Sequence, residues 1–331
     1  MAEAWRSAHP PMAPFRIEPH FVERVWGYRD LRPWYDHVAR AEAVGEVWLT
    51  GDGCLVASGP HAGKTLGALF AEAPEAMLGP AASSSQSPLL IKVLFAREKL
   101  SVQVHPDDRM ARKYSQPHGK TESWYALAAE PGAQVAVGFK PGTTIGQIRE
   151  KIQAGTLETI LELLQVDAGD LIFVDAGTVH AIWPGTILLE TQQYSDVTYR
   201  MYDYGRPREL HIERSLEAVH LETRAGKVAP RPLAGRTLLI DAEYFRMERI
   251  PVEGSRTSAA LRAAALAGEN QRPRGLAYLF AAAGAGTISG PDLEPVALPP
   301  RGIVAVPADA PEFVLEDCGG LDLIRITPNW P

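Results

Sequence analysis

The sequence predicts a mainly β protein built from two barrel-like units, the first of them decorated with helices. Three observations predict it. Short runs rich in β-branched and aromatic residues recur along the chain, each punctuated by Gly or Pro, as in a barrel or sandwich. Helical spacing is confined to a few segments between those runs. After Val219 the character shifts to a basic, proline-bearing connector, and short β-like runs then return. The expected division is 1–225 for a first unit and 226–331 for a smaller second one.

The 331 residues suffice for one large or two ordinary domains. Apolar residues make up 46% and charged residues 22%, the balance of a globular chain. The formal charge is −7 with no basic stripe, which argues against a nucleic-acid partner. No run approaches the ~20 apolar residues of a membrane span. Cys54 and Cys318 form no CxxC, and MAEAWRSAHPPMAPF lacks the apolar run of a signal peptide, so a reducing, cytoplasmic setting is expected.

In chain order, residues 1–20 read as irregular, with Pro10, Pro11, Pro14 and Pro19. Within 21–60, VGEVWLTG is strand-like. TLGALFAEAPEAML (65–78) reads as a helix interrupted or ended near Pro74. LLIKVLFA (89–96) and KLSVQVH (99–105) read as strands. Asp107 or Asp108 is placed to cap a short helix through RMARKYS. SWYALAA and GAQVAVGF are strands. Thr143 or Thr144 starts a helix with Ile145, Ile148 and Ile152 at helical spacing, and a second helical run follows through Leu157, Ile160, Leu161 and Leu164. GDLIFVDAGTVHAI (169–182) is strand, turn, strand; 186–204 is strand-rich; RELHIERSLEAV (208–219) is helical. Residues 221–241 read as a connector. YFRMERI, GLAYLFAA, GTISG, GIVAVPA, EFVLED and LDLIRIT supply the second unit, and AALRAAALA (259–267) fits either helix or strand.

The chemistry gathers around SVQVH. Polar and apolar residues alternate there, so Ser101, Gln103 and His105 share one strand face and Val102 and Val104 the other. Lys120 and Glu122 stand two apart in HGKTESWYAL, and the turn at Ala176-Gly177 throws out His180. Two imidazoles and a carboxylate suit a divalent metal with open positions, and the Gln103 carbonyl oxygen adds a fourth donor.

These motifs carry a resemblance. Gly169 through Ala176-Gly177-x-x-His180 resembles the second motif of the cupin superfamily, whose barrels are jelly rolls. KLSVQVHPDD, GKTESWY and LLETQQYSDVTYRMYDYGR (188–206) together resemble the type I mannose-6-phosphate isomerase family in its short bacterial form. RVWG, GEVW, LLIKVL and RELH match the same pattern, and the C-terminal part matches more loosely.

The resemblance implies two cupin domains, a Zn2+ cofactor held by Gln103, His105, Glu122 and His180, and a second barrel without metal. It further implies active-site roles for Lys120, Glu190, Asp196 and Arg200, a pocket wall at Trp26, and phosphate contacts at Lys92 and Ser101. The implied reaction interconverts mannose 6-phosphate and fructose 6-phosphate through an enediolate, with a sugar phosphate as the partner molecule. Glu190 and Lys120 both stand as candidates for the proton-transfer base, and Asp196 as a salt-bridge partner of Arg200. Asp175 stands where the family's turn usually has Pro, and Gly119 where some longer members have His. The rival readings are an iron cupin oxygenase and a non-catalytic sugar-phosphate sensor. Oligomeric state has no signature in the sequence.

Overall fold

The computed structural model describes residues 11–39, 41–80, 84–262, 275–291 and 293–329. The chain is mainly β and divides into two units. One, here the central unit, comprises Phe21–Val47 and Leu89–Ala229. The other, the terminal unit, comprises Met1–His20, Trp48–Pro88 and Pro230–Pro331. A division into 1–225 and 226–331 therefore does not describe the chain. Among the described residues, Phe15–Ile17, inside a stretch expected to be irregular, is a strand paired with Ile303–Val306. Ala308 donates its N–H to the Met77 carbonyl, which ties 49–88 to the same unit.

In the central unit a seven-stranded sheet runs in the order Gly226–Lys227, Leu171–Val174, Glu122–Ala129, Thr186–Gln193, Leu89–Ala96, Val44–Trp48, His20–Tyr28. It faces a five-stranded sheet in the order Tyr199–Tyr202, Val102–Val104, His180–Ile182, Gln134–Phe139, Leu161–Gln165. Trp124, Leu94, Leu188 and Ile172 of the first sheet pack against Val135, Val137 and Ile182 of the second, which makes the dry part of the interior. The opposite face of the five-stranded sheet carries Val102, Val104, Ala181 and Met201, covered by Met110, Ile148, Ile152 and Ala218 of the helices Asp108–Lys113, Ile145–Gln153 and Ile212–Ala218. The alternation in SVQVH is thus an inside–outside alternation, with the valines under helices and Gln103 toward the interior.

Caps settle the helix starts. Asp107 accepts from the Met110 N–H at 2.7 Å. Thr144, rather than Thr143, forms a capping box with Gln147. Pro74 interrupts rather than ends its helix, sitting at the first position of a new one, Pro74–Leu78, after Leu66–Glu72. These two helices lie in the terminal unit, so inserted helices are not confined to one unit. The helical run expected through Leu164 is a single 3-10 turn, Leu157–Ile160, followed by a strand; Leu163 and Leu164 pair with Ala136 and Val135, so ladder pairing overrides the helical spacing. RELH precedes its helix instead of joining it. The connector holds three strands, Gly226–Lys227, Arg231–Leu233 and Arg236–Asp241. Of AALRAAALA, Ser258–Arg262 covers the helical beginning and 263–267 lie outside the described residues.

The terminal unit repeats the two-sheet plan. Its seven strands run Phe15–Ile17, Ile303–Val306, Ala277–Ala283, Asp322–Pro328, Phe245–Pro251, Arg236–Asp241, Arg231–Leu233, and its four run Ser255–Thr257, Val314–Asp317, Gly286–Gly290, Leu293–Leu298. Leu279, Val304, Leu323 and Ile250 of the larger sheet meet Ile288, Leu298 and Leu315 of the smaller. On the same face as Ile250 and Leu323 stands a buried ion cluster, with Glu248 accepting from Arg325 at 2.9 Å, Arg246 at 3.2 Å and Arg236 at 3.5 Å. No helix among the described residues is long and apolar enough to cross a membrane.

Candidate metal centre and active site

Strand register assembles the cluster. In the five-stranded sheet Gln103 lies directly opposite His180 on one side and Arg200 on the other. Directly paired residues share a face, so all three point to the interior. In the seven-stranded sheet Glu190 lies opposite both Lys92 and Trp124, and Glu122 opposite Gln192. Glu122 and Trp124, two apart, therefore point toward the other sheet.

The imidazole Nε2 atoms of His105 and His180 lie 3.5 and 3.4 Å from the two Glu122 oxygens, and ligand atoms of the three residues all fall within 4.8 Å of one another. The Gln103 amide sits 3.2 Å from His180 Nε2, while its Oε1 accepts from Ser101 Oγ at 3.0 Å. A half-turn of that amide presents Oε1 to the cluster and lets Nε2 donate to Ser101. Both Nδ1 atoms are anchored on backbone carbonyls, His105 on Val197 at 2.7 Å and His180 on Thr178 at 3.0 Å. Donation from Nδ1 leaves each Nε2 with its lone pair turned inward, the tautomer a metal ligand needs. Burial, with the charge of Lys120 beside it, holds His105 well below its ordinary pKa, and burial lowers His180 to about 4. Both rings are neutral at pH 7.

Glu122 is 1% exposed, and its Oε2 lies 2.7 Å from the Lys120 ammonium. Burial raises its pKa to about 7 against the opposing pull of Lys120. With that one ammonium on Oε2, the other oxygen of this buried carboxylate faces the neutral His180 ring at 3.4 Å, an arrangement that a cation between the three side chains completes. The donor set, two nitrogens and one or two oxygens, fits a borderline divalent ion such as zinc. Among the described residues this is the one His/Asp/Glu/Cys grouping of that kind.

Local turns hold the ligands. Gly177, at φ +87°, donates its N–H to the His105 carbonyl at 2.8 Å, so one turn positions both histidines. Thr178 Oγ1 donates to Asp175 at 2.6 Å, which gives the acidic residue at that position a turn-closing task. Gly119 packs so tightly that a Cβ there would meet the backbone of Asp107 at 2.6 Å, leaving no room for a His before Lys120. Lys120 Nζ lies 2.7 Å from Glu122 and 3.0 Å from His105 Nε2.

Above the cluster opens a cavity of about 520 Å³. It is lined by Trp26, Lys92, Ser101, Gln103, Lys120, Glu122, Glu190, Asp196 and Arg200, nine of the eleven residues singled out in the sequence, and the other two, His105 and His180, belong to the ligand cluster at its floor.

Placement changes several expected roles. Lys92, expected at the cavity mouth as a phosphate contact, is 4% exposed and pairs with Glu190 at 2.8 Å. Ser101 is equally buried and engaged with Gln103. Asp196 lies in a loop, not on the strand of Arg200, and among the described residues its carboxylate makes no ion pair with Arg200. Arg200 instead donates to the Glu209 carbonyl at 2.9 Å. For Glu190, burial opposes ionisation, but Lys92 and Lys120 outweigh it and hold the pKa at about 2.

The sequence reading missed Arg24, Glu46 and Arg208 on the cavity wall. Arg24 stands two before Trp26, a spacing that puts both on one strand face, so a signal for it was present. Arg208 is held by Asp203 through two bonds of 2.6 and 2.7 Å, a pairing that spacing alone does not reveal.

Comparison with known proteins agrees with this geometry. Residues 14–140 match the family model for the phosphomannose isomerase type I catalytic domain. A mannose-6-phosphate isomerase of Streptococcus mutans is 35% identical over 80% of this chain and 88% of its own length. The mannose-6-phosphate isomerase ManA of Bacillus subtilis is 36% identical over 73% of this chain and 80% of its own. The crystal structure of the mannose 6-phosphate isomerase from Bacillus subtilis superposes with a TM-score of 0.82 at 28% identity, covering 96% of this chain and all of that one. The chain therefore belongs to the type I mannose-6-phosphate isomerase family of enzymes.

Proposed function

We propose that the protein interconverts mannose 6-phosphate and fructose 6-phosphate, with Zn2+ held by His105, Glu122, His180 and the Gln103 oxygen. The observation that carries this reading is the fully buried Glu122 carboxylate between two imidazoles turned for ligation, at the floor of a charged cavity. Bound there, the ion supplies Lewis acidity toward the sugar oxygens.

The remaining work belongs to the chain's own side chains. Glu190 is ionised at neutral pH and can accept the C2 proton without first losing one, then return it at C1. Lys120 turns positive charge toward the cavity, where the enediolate oxygen develops negative charge. Trp26 closes one wall against water. Arg200 and Arg208 face the same cavity, and burial together with the neighbouring Arg208 charge lowers the Arg200 pKa, so two adjacent cations are placed to take an anion. We assign the phosphate to this pair rather than to Lys92, whose ammonium is engaged by Glu190.

A coupled assay tests the reading. Metal-dependent formation of fructose 6-phosphate from mannose 6-phosphate is expected. Saturable binding without turnover would favour a sensor, and oxygen consumption by an iron-loaded form would favour an oxygenase.

A further inference from the structure

Four charged side chains cross the interior face of the seven-stranded sheet in alternating sign. Arg24 Nε donates to Glu46 Oε1 at 2.8 Å and its NH2 to Glu46 Oε2 at 3.1 Å. Glu46 lies 3.9 Å from Lys92 Nζ, and Lys92 lies 2.8 Å from Glu190. Glu46, Lys92 and Glu190 are all under 9% exposed, and Arg24 is partly open to the cavity. The row is built for close approach. A Cβ on Gly45 would meet Arg24 Cβ and the Trp26 ring at 2.6 Å, so the missing side chain lets the arginine and the tryptophan lie over the next strand.

We propose that Arg24 is a positioning residue for the isomerisation, clamping Glu46 so that Lys92 stays on Glu190. This inference rests on the reading of Glu190 given above. Two carboxylates flank one ammonium here, and attraction rises as distance falls. With both Glu46 oxygens held by a guanidinium, the nearer partner of Lys92 is Glu190. Without Arg24, the buried Glu46 carboxylate loses its two-point partner and draws Lys92 across the gap of about an ångström between the two distances. Glu190 then loses its place beside the reacting carbons, and displacements of that size cost about 10²-fold in rate.

Steady-state kinetics on R24Q and on R24Q/E46Q, with metal content and thermal midpoint measured for each, test the proposal. R24Q is expected to lose about 10²-fold in kcat with KM within a few-fold of wild type and metal fully retained. Removing the stranded charge in R24Q/E46Q is expected to restore kcat at least tenfold over R24Q. A merely structural role for Arg24, or a direct grip on phosphate, does not give that rescue. An R24Q enzyme equal to wild type, a loss confined to KM, or a double variant no faster than R24Q overturns the inference. Should R24Q not accumulate folded, R24K and R24K/E46Q carry the same comparison, because lysine keeps the charge but not the two-point clamp. Absence of isomerase activity in the wild type would instead remove the functional reading itself, so the two failures are separable.

Discussion

Replacing Lys92 by Met tests the buried ion row most directly. Lys92 and Glu190 are each 4% exposed and 2.8 Å apart, so the substitution leaves a carboxylate buried beside an apolar side chain. Breaking a buried pair from one side costs about 3–5 kcal/mol. For a unit of this size that is roughly a 6–20 °C fall in thermal midpoint. The sign with pH follows from Glu190. In the wild type its pKa is held at about 2, below the unfolded value, so the pair's stabilisation is present above the unfolded pKa and lost as pH falls toward 2. In K92M burial acts unopposed by Lys92 and raises the carboxyl, so the folded state takes up a proton more readily than the unfolded one. The variant then gains stability on acidification while the wild type loses it, and the gap narrows from pH 7 to pH 4. Thermal denaturation across that range, with K92M/E190Q alongside, measures both effects. The double variant should recover most of the loss at pH 7 and show little narrowing. A double variant as unstable as the two single losses added together would refute the pairing argument.

Other perturbations separate the parts of the site. His180→Ala should lose bound metal and isomerase activity together, read by elemental analysis and the coupled assay. Arg200→Ala should retain metal and lose turnover; loss of metal as well would refute its assignment to the substrate side of the cavity. Gly177→Ala places a Cβ 2.4 Å from the His220 ring at φ +87°, so it should lower metal affinity, measured by chelator competition, through the turn shared by the two histidines. Glu248→Gln leaves three arginines around a neutral amide and should lower the thermal midpoint of the terminal unit, with kcat at 25 °C unchanged.

What was legible in the sequence was what neighbouring residues decide. Alternation in SVQVH told inside from outside, and the turn before His180 was marked by Gly177. The four proposed ligands carried a family resemblance, and the structure brings their side chains together. What depends on pairing between distant segments was not legible. Nothing local says that Phe15–Ile17 joins Ile303–Val306, so the division of the chain at 225 went wrong at its first segment. Leu161–Gln165 has helical spacing only because its neighbours do, and its pairing with Gln134–Phe139 is what fixes it as strand.

The same limit explains the lysine. Lys92 on an apolar strand reads as an exposed cation or a ligand contact, because a buried lysine without a partner is too costly to expect. Its partner is almost a hundred positions away, placed opposite it by the register of Thr186–Gln193 against Leu89–Ala96. Glu46 and Arg24 extend the row across two more strands. Each charge in the row is affordable only because the next strand supplies its opposite, so the row is a property of sheet order rather than of any one segment. For that reason the residues that tune Glu190 are found by walking across the sheet, and a change at its far end, at Arg24, is expected to be felt at the reacting carbons.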